Sequence, residues 1–99
     1  MMEWRFADPP DLAVITTRKV VSGDDWIAFV SHDADDGGWQ FLDNEQGPRE
    51  VADARVVGLG EIVALDASVN ELAGLPLGWH ARRDTRDSPW KRAETGRRD

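Results

Sequence analysis

Residues 26–42 read Trp-Ile-Ala-Phe-Val-Ser-His-Asp-Ala-Asp-Asp-Gly-Gly-Trp-Gln-Phe-Leu, and their reading decides the fold. Trp26–His32 alternates: Trp26, Ala28, Val30 and His32 share one face and Ile27, Phe29 and Ser31 the other, because successive strand residues point to opposite sides. Large apolar groups on both faces predict an interior strand covered on both sides. Asp33-Ala34-Asp35-Asp36-Gly37-Gly38 then reads as a polar turn, glycine supplying a positive φ at no steric cost. Trp39-Gln40-Phe41-Leu42 returns as the partner strand. An aromatic-rich hairpin with an acidic tip is thus the centre of the expected sheet.

Upstream, Asp8-Pro9-Pro10 marks a turn or an extended segment, since proline disfavours the helical region for the residue before it. Leu12–Thr17 is short and rich in β-branched residues, which predicts a strand, and Ser22-Gly23-Asp24-Asp25 reads as a turn. Downstream, Asn44–Pro48 is a second loop, and beyond it the hydrophobic period changes. Val56, Leu59, Ile62 and Val63, then Val69 and Leu72, recur at spacings of three and four, which predicts one or two short helices between 54 and 73. Gly58 and Gly60 weaken the first of these by roughly 1 kcal/mol each; a helix-entry or close-packing role accounts better for them. Asp66 suits the N-cap of the second, and Gly74 and Pro76 end it. Gly78–Arg82 resumes an extended pattern, with Trp90 on a partner strand. The expected fold is therefore a small α+β domain over residues 1–92. An antiparallel sheet (12–17, 26–32, 38–43, 78–83 and 89–92) carries the helices packed on one face, and residues 93–99 form a polar tail.

Composition narrows the function classes. The chain has 99 residues, five tryptophans, no cysteine and a formal charge of −7. That length allows one domain. Without cysteine there is no disulfide framework, thiol nucleophile or zinc–thiolate site. The charge is unevenly spread: residues 1–75 hold 15 acids and 5 bases, whereas residues 76–99 hold 4 acids and 7 bases. An acidic body argues against nucleic-acid and anionic-membrane partners, which it repels. No basic and apolar leader opens the sequence and no apolar run approaches the roughly 20 residues of a membrane span, so the expectation is a cytoplasmic protein.

Chemical motifs are sparse. Counted from Asp33 as a calcium loop, Gly37 occupies the fifth position and Asn44 the twelfth, where acidic ligands belong. Ser31, His32 and Asp33 adjoin, but adjacent strand residues face opposite ways and cannot assemble a nucleophile and base locally. The only histidines, His32 and His80, are far apart in sequence, and Gly58-Leu59-Gly60 lacks the third glycine of a dinucleotide fingerprint. No catalytic residue, metal ligand or cofactor is therefore predicted. Tryptophans supply the expected core, each burying about 150–250 Å². One or two of them, half-exposed beside the acidic rim, would make a protein-binding hot spot. Asp33, Asp35, Asp36, Trp39 and Trp79 are the candidate binding residues, Trp39 foremost.

Several segments are similar to those of a family of small uncharacterised bacterial domains. They are Ser31-His32-Asp33, Gly38-Trp39-Gln40-Phe41-Leu42, Leu59–Val63 with Leu65-Asp66, Leu75–Trp79 and Pro89–Arg92. The wider group resembles domains proposed as immunity proteins of bacterial toxin systems. The resemblance spans Val14 to Arg92 and brings no catalytic residue with it. It implies a non-enzymatic domain whose acidic surface recognises a basic protein partner, as an immunity protein would a toxin. The alternative is a small enzyme or a metal- or ligand-binding domain using the region of His32, Asp33 and Asp35.

Overall fold

The aromatic hairpin forms where its alternation places it. Strands β2 (Phe29–His32) and β3 (Trp39–Leu42) pair antiparallel, with Val30 opposite Phe41 and His32 opposite Trp39. Asp33 N–H donates to the Gly38 carbonyl at 2.8 Å and Gly37, at φ 73°, donates to the Asp33 carbonyl at 2.9 Å. The computed structural model describes residues 4–44 and 50–95, so most of the expected Asn44–Pro48 loop and residues 96–99 of the expected tail lie outside the described residues.

Around this hairpin lie β1 (Ala13–Thr17), β4 (Ala54–Gly58), β5 (Trp79–Arg82) and β6 (Lys91–Glu94). They complete a six-stranded sheet in the order β4-β1-β3-β2-β5-β6. The fold is α+β. Its sheet is mixed, where an antiparallel one was expected, because β1 lies parallel to β3 in the register Ile15 to Gln40. The chain leaves β1 through helix α1 (Arg18–Ser22) and returns as β2 one strand further over, with β3 filling the gap.

One local expectation fails for a physical reason. The segment read as helix from 54 begins as β4, whose five residues all pair with β1. Val56 and Val57 are β-branched and fit a pleated surface; helix α2 (Leu59–Leu65) starts only after Gly58, which is extended at φ −75° and ψ 145°. The spacing 56, 59, 62 thus straddles a strand–helix boundary. Upstream, α1 adds a helical turn between the expected strand and the expected turn, sharing Ser22 with the latter. The Thr17 hydroxyl accepts from Val20 N–H at 3.3 Å as its N-cap, and Gly23 closes it at φ 83°. At the other end, β6 runs to Glu94 and Thr95 N–H donates to the Gly78 carbonyl at 2.7 Å. The ordered sheet therefore extends past residue 92.

Helix α2 and a 3-10 helix (Ala67–Leu72) cover one face. Leu59, Ile62, Val69 and Leu72 bury against Val14, Val30, Phe41, Trp39 and Trp90 of the sheet side. Both expected glycine roles are present: Gly58 stands at the entry to α2, and Gly60 packs closely, its N–H donating to the Pro10 carbonyl at 2.8 Å and a Cβ there standing 3.2 Å from Pro10 Cβ. Among the described residues no helical layer like that of α2 covers Phe29 on the opposite face, which corrects the expectation for β2. Phe29 is half-buried on it, stacked on His80 at 5.4 Å with the Arg82 guanidinium 5.6 Å from its centroid.

Candidate functional site

The acidic tip and the strand ends beneath it are built with few free groups. Asp33 accepts from the Ser31 hydroxyl at 3.0 Å and from the Gln40 amide at 2.8 Å. One Asp36 oxygen accepts from Gly38 N–H at 2.8 Å, fixing the turn. Asp35 is exposed and makes no side-chain hydrogen bond among the described residues. These carboxylates border a concavity of about 390 Å³ whose other walls are His32, Ala34, Gln40, Gly78 and Thr95. No Lys or Arg lines it among the described residues.

His32 forms part of the floor and is committed on two sides. Its Nδ1 lies 2.7 Å from the Leu75 carbonyl oxygen; a carbonyl only accepts, so Nδ1 carries the proton and donates. Its ring stacks on Trp39 at 3.9 Å and 11°. Ser31 and His32 face opposite sides of the sheet, as alternation requires, and do not form a catalytic pair. Among the described residues, no group of three or more His, Asp or Glu side chains is placed to hold a metal ion.

Trp39 is not the surface anchor its position beside the loop suggested. It is 2 % exposed; its indole N–H donates to Asp8 at 3.0 Å and Phe6 meets it edge-on at 5.2 Å. The N-terminal segment closes over Trp39, and Trp4 N–H donates to the Asp8 carbonyl at 2.7 Å. Trp79, in register with His32, is half-buried and packs against the core. The structure thus brings Asp33, Asp35 and Asp36 together around one concavity, puts Trp79 next to its Gly78 wall, and withdraws Trp39.

At the opposite end of β2, Arg83 is the side chain that sequence reasoning missed. It lies in the run 82–88, which has no apolar residue, yet it is 4 % exposed. Its Nε donates to the Ile27 carbonyl at 2.9 Å, one terminal nitrogen to Ser68 Oγ at 2.9 Å and the other to Asp66 at 2.5 Å. The guanidinium lies 4.2 Å from the Trp90 centroid. The available signal was the two-residue period continuing from buried Ala81 to Arg83. Asp66 caps the 3-10 helix as expected, accepting from Ser68 N–H at 3.0 Å. Burial raises its pKa, but the bonds from Ser68 and Arg83 and the charge of Arg83 outweigh this and hold it below the ordinary carboxylate value.

No helix among the described residues is long and apolar enough to cross a membrane. Neither a family model, a curated protein nor a solved structure matches the chain.

Proposed function

We propose that this protein is a non-enzymatic binding domain that receives a basic segment of a protein partner against the acidic end of the β2–β3 hairpin. The observation that carries the reading is the concavity of about 390 Å³ bordered by Asp33, Asp35 and Asp36 with no cationic wall residue among the described residues. Carboxylates fixed on a tight turn complement a basic side chain and steer its approach. Their own bonds to Ser31, Gln40 and Gly38 hold that turn in place, so little ordering remains to be done on binding. Commitment of His32 Nδ1 and of both Asp33 oxygens to the protein's own groups favours this role over acid–base chemistry or metal ligation there. The finer form of the proposal, taken from the resemblance to toxin-immunity domains, is that the partner is a basic toxin and the protein acts in the cytoplasm.

The test is capture of the partner from native cells by the tagged full chain, with Asp35→Lys beside it. Asp35 is the suitable position because Asp33 and Asp36 also hold the turn. A basic partner that is released by raised salt, and that associates severalfold more slowly with Asp35→Lys, supports the proposal. A partner retained at high salt and indifferent to Asp35→Lys refutes it.

A further inference from the structure

A second concavity, of about 340 Å³, opens at the other end of β2 between the C-terminal ends of α1 and α2. That volume lies at the lower end of the roughly 300–1,000 Å³ typical of small-molecule sites. Its apolar wall is formed by Trp26, Ile27 and Leu65, and its charged groups are Asp25, Asp66 and Arg86. These charges are not equivalent. Asp66 is spent, one oxygen accepting from Ser68 N–H and the other held by buried Arg83. Asp25 uses one oxygen to accept from Trp26 N–H at 2.8 Å, and its second oxygen makes no hydrogen bond or ion pair among the described residues. Arg86 is exposed and forms no ion pair or hydrogen bond among the described residues, with Asp25 or any other group.

An anion, a cation and an apolar wall therefore meet in one cleft without neutralising each other. We propose that this cleft binds a small zwitterion with an apolar side chain, of the class of a free α-amino acid. The ligand's ammonium group meets Asp25, its carboxylate meets Arg86, and its side chain lies against Trp26 and Leu65. Arg86 suits the carboxylate because a guanidinium presents a planar fork of donors to two oxygens. A ligand with one charge would leave the opposite protein charge unmatched and gain only one of the two charged bonds. The half-buried indole of Trp26 and the exposed Leu65 side chain give the ligand an apolar surface to cover. This site is separate from the acidic hairpin, and its occupancy does not depend on the partner proposed there.

The experiment is a titration of the full chain, observed by amide NMR shifts, with L-leucine, isoamylamine and isovalerate as probes. L-leucine is expected to give saturable shifts at residues 20–27, 65–66 and 86, with each single-charge analogue at least about tenfold weaker, the value of one charged hydrogen bond. Asp25→Asn should weaken L-leucine and isoamylamine about tenfold and leave isovalerate unchanged; Arg86→Gln should do the converse. Both positions are away from the core, and unchanged indole resonances of Trp39 and Trp90 verify the fold of each variant. Absence of saturable shifts with L-leucine overturns the proposal. So does equal binding of all three probes, or indifference of L-leucine to both substitutions.

Discussion

Replacing Arg83 with methionine is the sharpest test of how this small domain holds its layers together. The guanidinium ties the end of β5 to the Ile27 carbonyl before β2, to the Asp66 cap and to Ser68, while Trp90 covers its flat face. Methionine keeps an unbranched aliphatic stem against Trp90 but removes every donor. Breaking a buried ion pair by deleting one partner costs about 3–5 kcal/mol, because the other partner is left desolvated. Asp66 retains 23 % side-chain exposure, so water recovers part of that loss and the lower end applies. The expected destabilisation is therefore about 3 kcal/mol, a large share of the roughly 5–15 kcal/mol a domain possesses. In a chain of this size it lowers the melting midpoint by roughly 12–24 °C. Urea titration followed by tryptophan fluorescence measures it. Adding Asp66→Asn should restore part of the loss, since a neutral amide is less costly to leave without its cation. The pH dependence gives a second readout. With Asp66 held below its ordinary value, its stabilising contribution is complete above the unfolded pKa of about 3.9 and fades as pH falls through the lower folded value. Arg83→Met should flatten that acid limb. A loss under about 1 kcal/mol would refute the assignment of Arg83 as the clamp between the sheet and its helical layer.

Two other perturbations probe different parts of the fold. Gly60→Ala gains about 1 kcal/mol of helix propensity, but its Cβ would press on Pro10 Cβ at 3.2 Å and Pro10 O at 3.3 Å. The expected result is no net gain or a loss in denaturant midpoint, and a full 1 kcal/mol stabilisation would show that Pro10 yields freely. His80 has its pKa lowered by burial and by the neighbouring charge of Arg82. The unfolded chain therefore takes up this proton first, and stability should fall slightly as pH drops through about 6.5. NMR titration of the His80 ring should give a midpoint below that value, and His80→Gln should remove this component of the pH slope.

The physical reasons for success and failure in reading this sequence differ from element to element. The β2–β3 hairpin is legible because alternation, two aromatic strands and a glycine-bearing turn all favour the same local structure. The cap at Asp66 is legible because a carboxylate before a short apolar period has one favourable use. β4 is misread because Val56, Leu59 and Ile62 mimic one helical face across a boundary that only pairing with β1 creates. Asp33, Asp35 and Asp36 are legible as a cluster because they are adjacent in sequence. Their division of labour is not, since it depends on Gln40, Ser31 and Gly38 reaching them.

The sequence by itself determined the α+β class, the hairpin at its centre, the acidity of the body and the presence of glycines where α2 begins. Each of these is a matter of local periodicity, turn chemistry or composition, expressed within a few residues. Tertiary structure decided the parallel pairing of β1 with β3, the burial of Trp39 beneath Phe6 and Asp8, and the burial of Arg83 among Trp90, Ile27 and Asp66. Those outcomes join residues up to 56 positions apart, and the free energy that selects them exists only once the partners meet. The same holds for both concavities: neighbouring residues supply their charges, but the walls come from strands and helices that the fold alone brings together.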